Sequence, residues 1–227
     1  MADLRLVVFD CDGVMFDSRD ANRSYYNLLL ARFGHPAMDA GELDFVHTHN
    51  VMDSVAHIFR RYPAAEIEAA HRFRHDLDYR PFLNHMIMEP DLKEFLQVLK
   101  PGYYTAISTN RTTTMPAILQ MFGLEQYFDK VVTAMDVARP KPDAEALLQI
   151  MDHFKVTPAE GVFIGDSMVD REHTAAVGME LIAFKNPTLP AEYHVSRFME
   201  ILELPFFRKP AASGVVRPAG CVVGAEG

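Results

Sequence analysis

The sequence predicts an α/β protein: a doubly wound, Rossmann-like parallel sheet with a small helical cap inserted after its first strand. Three observations predict it. Short β-rich apolar runs alternate with helical periodicity from about residue 90 onward, roughly ninety residues separate the first strand from the second, and Pro and Gly stand where the helices should start and stop.

The strands are expected at residues 4–10, 103–109, 130–134, 161–166 and 180–184, each a short run rich in Val, Ile, Leu, Phe and Tyr. Between the later ones, residues 115–122, 144–153 and 169–177 repeat apolar side chains at three- and four-residue steps, so helices cross over between parallel strands. Pro90 opens a further helix through Lys100, Pro101-Gly102 ends it, and Gly123 and Gly178 follow two later helices as C-terminal stops. The gap after the first strand far exceeds what one crossover needs. Its residues 21–33, 54–61 and 64–79 carry helical spacing with few strand signals, which predicts a helical cap over residues 18–80. Residues 1–17 and 81–205 are then the sheet domain. Residues 206–227, rich in Pro, Gly, Ala and Val without periodicity, are expected to form a flexible tail.

Composition narrows the function. Hydrophobic residues at 49% and charged residues at 23% describe a folded chain with a real core, and a formal net charge of −9 leaves no global field for a nucleic-acid backbone or an anionic membrane. Cys11 and Cys221 stand near opposite ends and make no metal or disulfide spacing. No leader-like segment or long apolar run occurs, so a cytoplasmic protein with a small-molecule partner is expected, with neither nucleic acid nor membrane; its oligomeric state is left open.

Candidate chemistry gathers at strand ends. The first strand ends in Asp10-Cys11-Asp12-Gly13-Val14, where alternation sends two carboxylates to one face and Cys11, a small buried apolar residue, to the other. The second ends in Ser108-Thr109-Asn110 and the fourth in Gly165-Asp166-Ser167, with Asp170 four residues beyond Asp166. Lys141 lies in the loop after the third. In a parallel sheet all these segments meet at the carboxyl edge, where open α/β sheets bind ligands. Each alone reads equally well as a turn or a helix cap.

Taken in this order, these residues resemble the haloacid dehalogenase-like hydrolases over about residues 4–204, and within them the phosphoglycolate phosphatase-like members with a helical cap. The resemblance implies Asp10 as nucleophile, Asp12 as acid/base, and Thr109 as the phosphate-binding hydroxyl, with Ser108 a one-residue alternative and the Asn110 backbone N–H beside it. It implies Lys141 as the motif cation, with Arg139 the alternative register. Magnesium would be held by Asp10, Asp166 and the backbone carbonyl of Asp12, with Asp170 supporting. A protonated Asp12 is expected for the first step, its pKa raised by crowding from Asp10 and Asp166. The function so implied is magnesium-dependent hydrolysis of a small phosphate monoester through a phospho-aspartate. A phosphomutase and a non-catalytic phosphometabolite-binding protein remain as alternatives.

The cap contains eight arginines and no lysine between residues 14 and 88, so the Schiff-base lysine of the phosphonate-cleaving relatives is missing; the dehalogenating relatives lack a counterpart of Asp12. Arg23, His47, His49 and Asn50 are the expected substrate contacts. The other cap arginines are read as surface charge, and His71/His75 as a solvated pair.

Overall fold

The computed structural model describes residues 3–207. Six strands form one parallel sheet: β1 (Leu6–Phe9), β4 (Tyr104–Ser108), β5 (Lys130–Val132), β6 (Gly161–Gly165), β7 (Glu180–Phe184) and β8 (Tyr193–Val195), in the order β5-β4-β1-β6-β7-β8. β1 is central because it is buried on both faces, as its unbroken Leu-Val-Val-Phe requires. Val7 and Phe9 join a core with helices α6 (Leu92–Leu99) and α7 (Met115–Phe122). Leu6 and Val8 point the other way, into a core with α8 (Glu145–Phe154), and α9 (Met168–Ala175) lies on that side, with His173 against Phe163. Helices on both faces and a strand order that turns at β1 make the doubly wound class.

Residues 18–83 contribute five helices: α1 (Arg19–Arg32), α2 (Ala40–Thr48), α3 (Val51–Ile58), α4 (Ala64–His75) and α5 (Arg80–Leu83). They bury a third apolar cluster of their own, centred on Tyr26, Leu29, Leu30, Val55, Ile58 and Phe59. The chain leaves and rejoins the sheet through a two-stranded antiparallel ribbon, β2 (Phe16–Asp17) with β3 (Ile87–Met88).

The structure departs from the expectations in definite places. α2 stands where no helix was expected, started by a reciprocal Asp39/Glu42 cap that offsets Gly41. The helix expected at 54–61 begins earlier, at Val51, because the Asn50 side chain accepts from the Met52 and Asp53 amides. The one expected at 64–79 ends at His75. The β2/β3 ribbon and β8 are too short to show an alternating pattern. Phe206 and Phe207, placed in the expected tail, pack on Tyr193 and Tyr103. Residues 208–227 lie outside the described residues. Among those described, no helix is long and apolar enough to cross a membrane.

Candidate active site at the carboxyl edge of the sheet

The ends of β1, β4 and β6 and the loop after β5 converge on one cleft between sheet and cap, a cavity of about 350 Å³ lined by Asp10, Asp12, Thr109, Lys141 and Asp166 among others. That volume suits a small metabolite. Two glycines let the loops close on each other. Gly13 has φ +79°, and a Cβ there would lie 2.0 Å from Asp166 Oδ2; a Cβ on Gly165 would lie 2.6 Å from that of Asp170.

Lys141 is the hub. Its side chain is only 4% exposed, and its Nζ donates to Asp10 Oδ1 at 2.6 Å and Asp170 Oδ1 at 2.7 Å, above the Phe163 ring. Arg139, the alternative cation, is 73% exposed and pairs with Asp143 outside the cleft. Of the two register candidates, Lys141 is the one whose cation lies in the cleft.

Asp10, Asp166 and Asp170 bring one carboxylate oxygen each to within 4.8 Å of one another. One ammonium cannot balance three carboxylates, two of them buried and Asp166 half-buried. Burial, with Asp170 and the other acids, pushes Asp10 up to about 7 against the pull of Lys141, and Asp166 up to about 8. Asp170 goes the other way: the Lys141 and Ser167 bonds outweigh its burial and hold it below the ordinary range. Its Oδ2 also accepts from the Ser167 hydroxyl and from the Asp166 and Ser167 amides. Asp170 is thus saturated by protein donors. Asp10 and Asp166 are the carboxylates left short of positive charge, and an all-oxygen donor set of this kind suits a hard divalent cation. Among the described residues no other group of side chains is so spaced; His75 is exposed beside Asp76, and His71 accepts from Arg74.

Asp12 differs from expectation. Its carboxylate receives two parallel bonds from Arg111, Nε to Oδ2 at 2.7 Å and Nη2 to Oδ1 at 2.6 Å, and one from the Ser18 hydroxyl. Burial would raise its pKa, but the Arg111 guanidinium and these bonds outweigh burial and hold it below the ordinary range. Crowding by Asp10 and Asp166 does not govern it. Arg111 is half-buried, with its side chain 8% exposed; its guanidinium lies over the Tyr79 ring, and it belongs to the loop after β4, two residues past Thr109. The polar run Thr109-Asn110-Arg111-Thr112-Thr113-Thr114 at a strand end was the available sequence signal for it.

The other expected contacts separate. Thr109 is buried and lines the cleft; Ser108 points away from it, onto His173. Asn110 donates from Nδ2 to the Lys141 carbonyl at 3.1 Å, and its Oδ1 is the one buried side-chain polar atom among the described residues without a hydrogen-bond partner. His49 lines the cleft, and Asn50 lines its outer mouth with its side chain committed to capping α3. Arg23 pairs with Asp20 at the surface, and His47 accepts from Asn22; neither lines the cleft. Arg74, read from sequence as surface charge, does line it. It is hydrogen-bonded to the Tyr25 hydroxyl and to His71, and among the described residues no carboxylate pairs with it.

A family model of haloacid dehalogenase-like hydrolases matches residues 7–184. The chain belongs to that family. It is similar to a plasmid-borne phosphoglycolate phosphatase of Cupriavidus necator, at 28% identity over 90% of this chain and 93% of that protein. A ribulose-1,5-bisphosphate 5-phosphatase of Halopiger xanaduensis is 33% identical over 48% of this chain and 47% of its own length. The crystal structure of a haloacid dehalogenase superfamily hydrolase, subfamily IA, from Geobacter sulfurreducens superposes with a TM-score of 0.73 at 37% identity, covering 88% of this chain and 95% of that one. This chain is a phosphatase-type hydrolase on the same α/β fold.

Proposed function

We propose that the enzyme hydrolyses small phosphate monoesters bearing a second anionic group, with magnesium as cofactor and Asp10 as nucleophile. The observation that carries this reading is the Lys141 hub, which fixes Asp10 at the floor of a cleft shared with Thr109 and Asp166. An Asp10 oxygen attacks phosphorus as the ester P–O bond breaks, and Asp12 hands a proton to the departing alkoxide. Water then attacks phosphorus, the acyl–phosphate P–O bond breaks, and Asp12 takes the water's proton. Thr109 and Lys141 orient the phosphoryl oxygens. Asp12 clamped by Arg111 is ionised, the state suited to the second step; taking up a proton for the first requires that clamp to loosen.

Magnesium would be held by Asp10, Asp166 and the Asp12 carbonyl, and would supply positive charge against the phosphoryl oxygens. Without it, Asp10 and Asp166 bind protons more tightly folded than unfolded. Since their folded values lie near 7 and 8 against an ordinary 3.8, these two groups withdraw stability as pH rises from about 4 to about 8. Protons and magnesium compete for them, so the gain in Tm on adding magnesium should grow from pH 5 to pH 8. A gain independent of pH would remove Asp10 and Asp166 as the holders.

The second anionic group is supported by Arg74, a cleft-lining guanidinium without a carboxylate partner among the described residues, and by the substrates in the two relatives' names. Phosphate release from 2-phosphoglycolate, ethyl phosphate, a sugar bisphosphate and pyrophosphate, with and without magnesium, tests the whole reading. The anionic esters should lead ethyl phosphate in kcat/KM by about tenfold or more, and Arg74→Gln should cut that lead by a similar factor, as for loss of one charged hydrogen bond. No release from any ester would sink the hydrolytic reading, and an undiminished lead would sink the role of Arg74.

A further inference from the structure

Beneath the cleft lies a titratable group that the phosphoryl chemistry does not use. His173, on α9, is fully buried and stands edge-on to Phe163. Its Nδ1 is 2.6 Å from the Asp143 carbonyl oxygen, and its Nε2 is 3.1 Å from Ser108 Oγ. A carbonyl only accepts, so Nδ1 carries the proton; in a neutral ring Nε2 then accepts from the Ser108 hydroxyl. Burial, with the nearby Lys141 ammonium, pushes the imidazole down to about 4, so the ring is neutral across the physiological range.

The two ends of this strut are adjacent to the two phosphoryl-gripping groups. Ser108 ends β4 and immediately precedes Thr109, and Asp143 follows Lys141 by two residues in the loop after β5. The same segments are also tied by the Asn110 side chain to the Lys141 carbonyl on the cleft side, and close to the strand ends by the Thr109 amide to the Val132 carbonyl and the Ala134 amide to the Arg111 carbonyl; of these only the Asn110 bond reaches the stretch that carries Lys141. We propose that His173 is a positioning residue, a neutral two-ended strut that sets the spacing between the Thr109 and Lys141 grips from below. The proposal rests on the reading that a phosphoryl group is bound between those grips.

The test is a set of variants of the full chain, assayed for kcat and KM on the best ester with magnesium and for binding of inorganic phosphate by calorimetry. His173→Leu removes both bonds and should lower kcat about 100-fold, as a misplacement of about 1 Å does, while KM changes by less than about threefold. His173→Asn keeps a donor near Nδ1 and should recover to within about tenfold of the parent. Ser108→Ala, which cuts one end only, should cost about three- to tenfold in kcat and add little to His173→Leu. If His173→Leu does not fold, the Asn and Ala variants carry the same comparison. A folded His173→Leu that keeps kcat within threefold overturns the strut, and so does equal loss in Leu and Asn variants, the mark of packing alone. Should the parent release no phosphate from any ester, the hydrolytic reading falls, and the strut is then judged by phosphate affinity: weaker in His173→Leu supports it, unchanged overturns it.

Discussion

Asp10→Asn is expected to reduce phosphate release on the order of 10⁴-fold or more, the scale of losing a covalent nucleophile. The substitution keeps shape and volume, and the amide still fits beside Lys141, but an amide oxygen cannot form a stable acyl phosphate with phosphorus. Folding should survive. Burial already drives Asp10 toward its protonated form, so a neutral isostere relieves repulsion with Asp166 and Asp170 while Lys141 keeps its bond to Asp170. Two measurements separate chemistry from damage: Tm of the variant without magnesium, expected at or above that of the parent, and rapid-quench mass analysis, expected to show a phosphorylated peptide containing residue 10 in the parent only. Turnover within about tenfold of the parent would end the covalent route.

What was legible in the sequence is what is local. β1, β4, β6 and β7 appear as apolar runs because each is buried through its own consecutive residues. The residues at the strand ends can be placed because a parallel sheet brings every carboxyl end to one edge. Contacts formed across the chain were not legible. Arg111 is separated from Asp12 by 99 positions, and its clamp reverses the ionisation that carboxylate crowding suggests. Arg74 looks like any helix-surface arginine until α4 is packed beside the cleft. Asn50 and Arg23 show the same limit from the other side: they are polar residues near the cleft in sequence, and only the folded chain shows their side chains used in capping α3 and in a surface ion pair. α2 was obscured by Gly41, although the Asp39/Glu42 pair marks its start once capping rather than propensity is weighed.

Lys141→Met should have the largest effect on stability, and its sign with pH is the diagnostic part. The methionine fills the slot over Phe163, but Asp10, Asp166 and Asp170 lose the ammonium placed among them. Removing one member of a buried ion pair costs about 3–5 kcal/mol, because the partner is left buried and charged. In the parent, Lys141 is held above its ordinary value of 10.5, so its contribution is present throughout the range below that value and fades only above it. In the variant, Asp170 loses the partner that holds it low and joins Asp10 and Asp166 in binding protons more tightly when folded. The variant is therefore least unstable in acid and falls further behind the parent as pH rises. Urea midpoints at pH 5 and pH 8 should show the gap widening, and millimolar magnesium should narrow it at pH 8 by supplying the cation the trio lacks. Phosphate release should drop about 10²- to 10³-fold, the scale of losing one preorganised donor to a developing charge. A gap that is constant with pH would mean that the three carboxylates do not share Lys141 as their counter-charge, and the arrangement of the site around it would have to be redrawn.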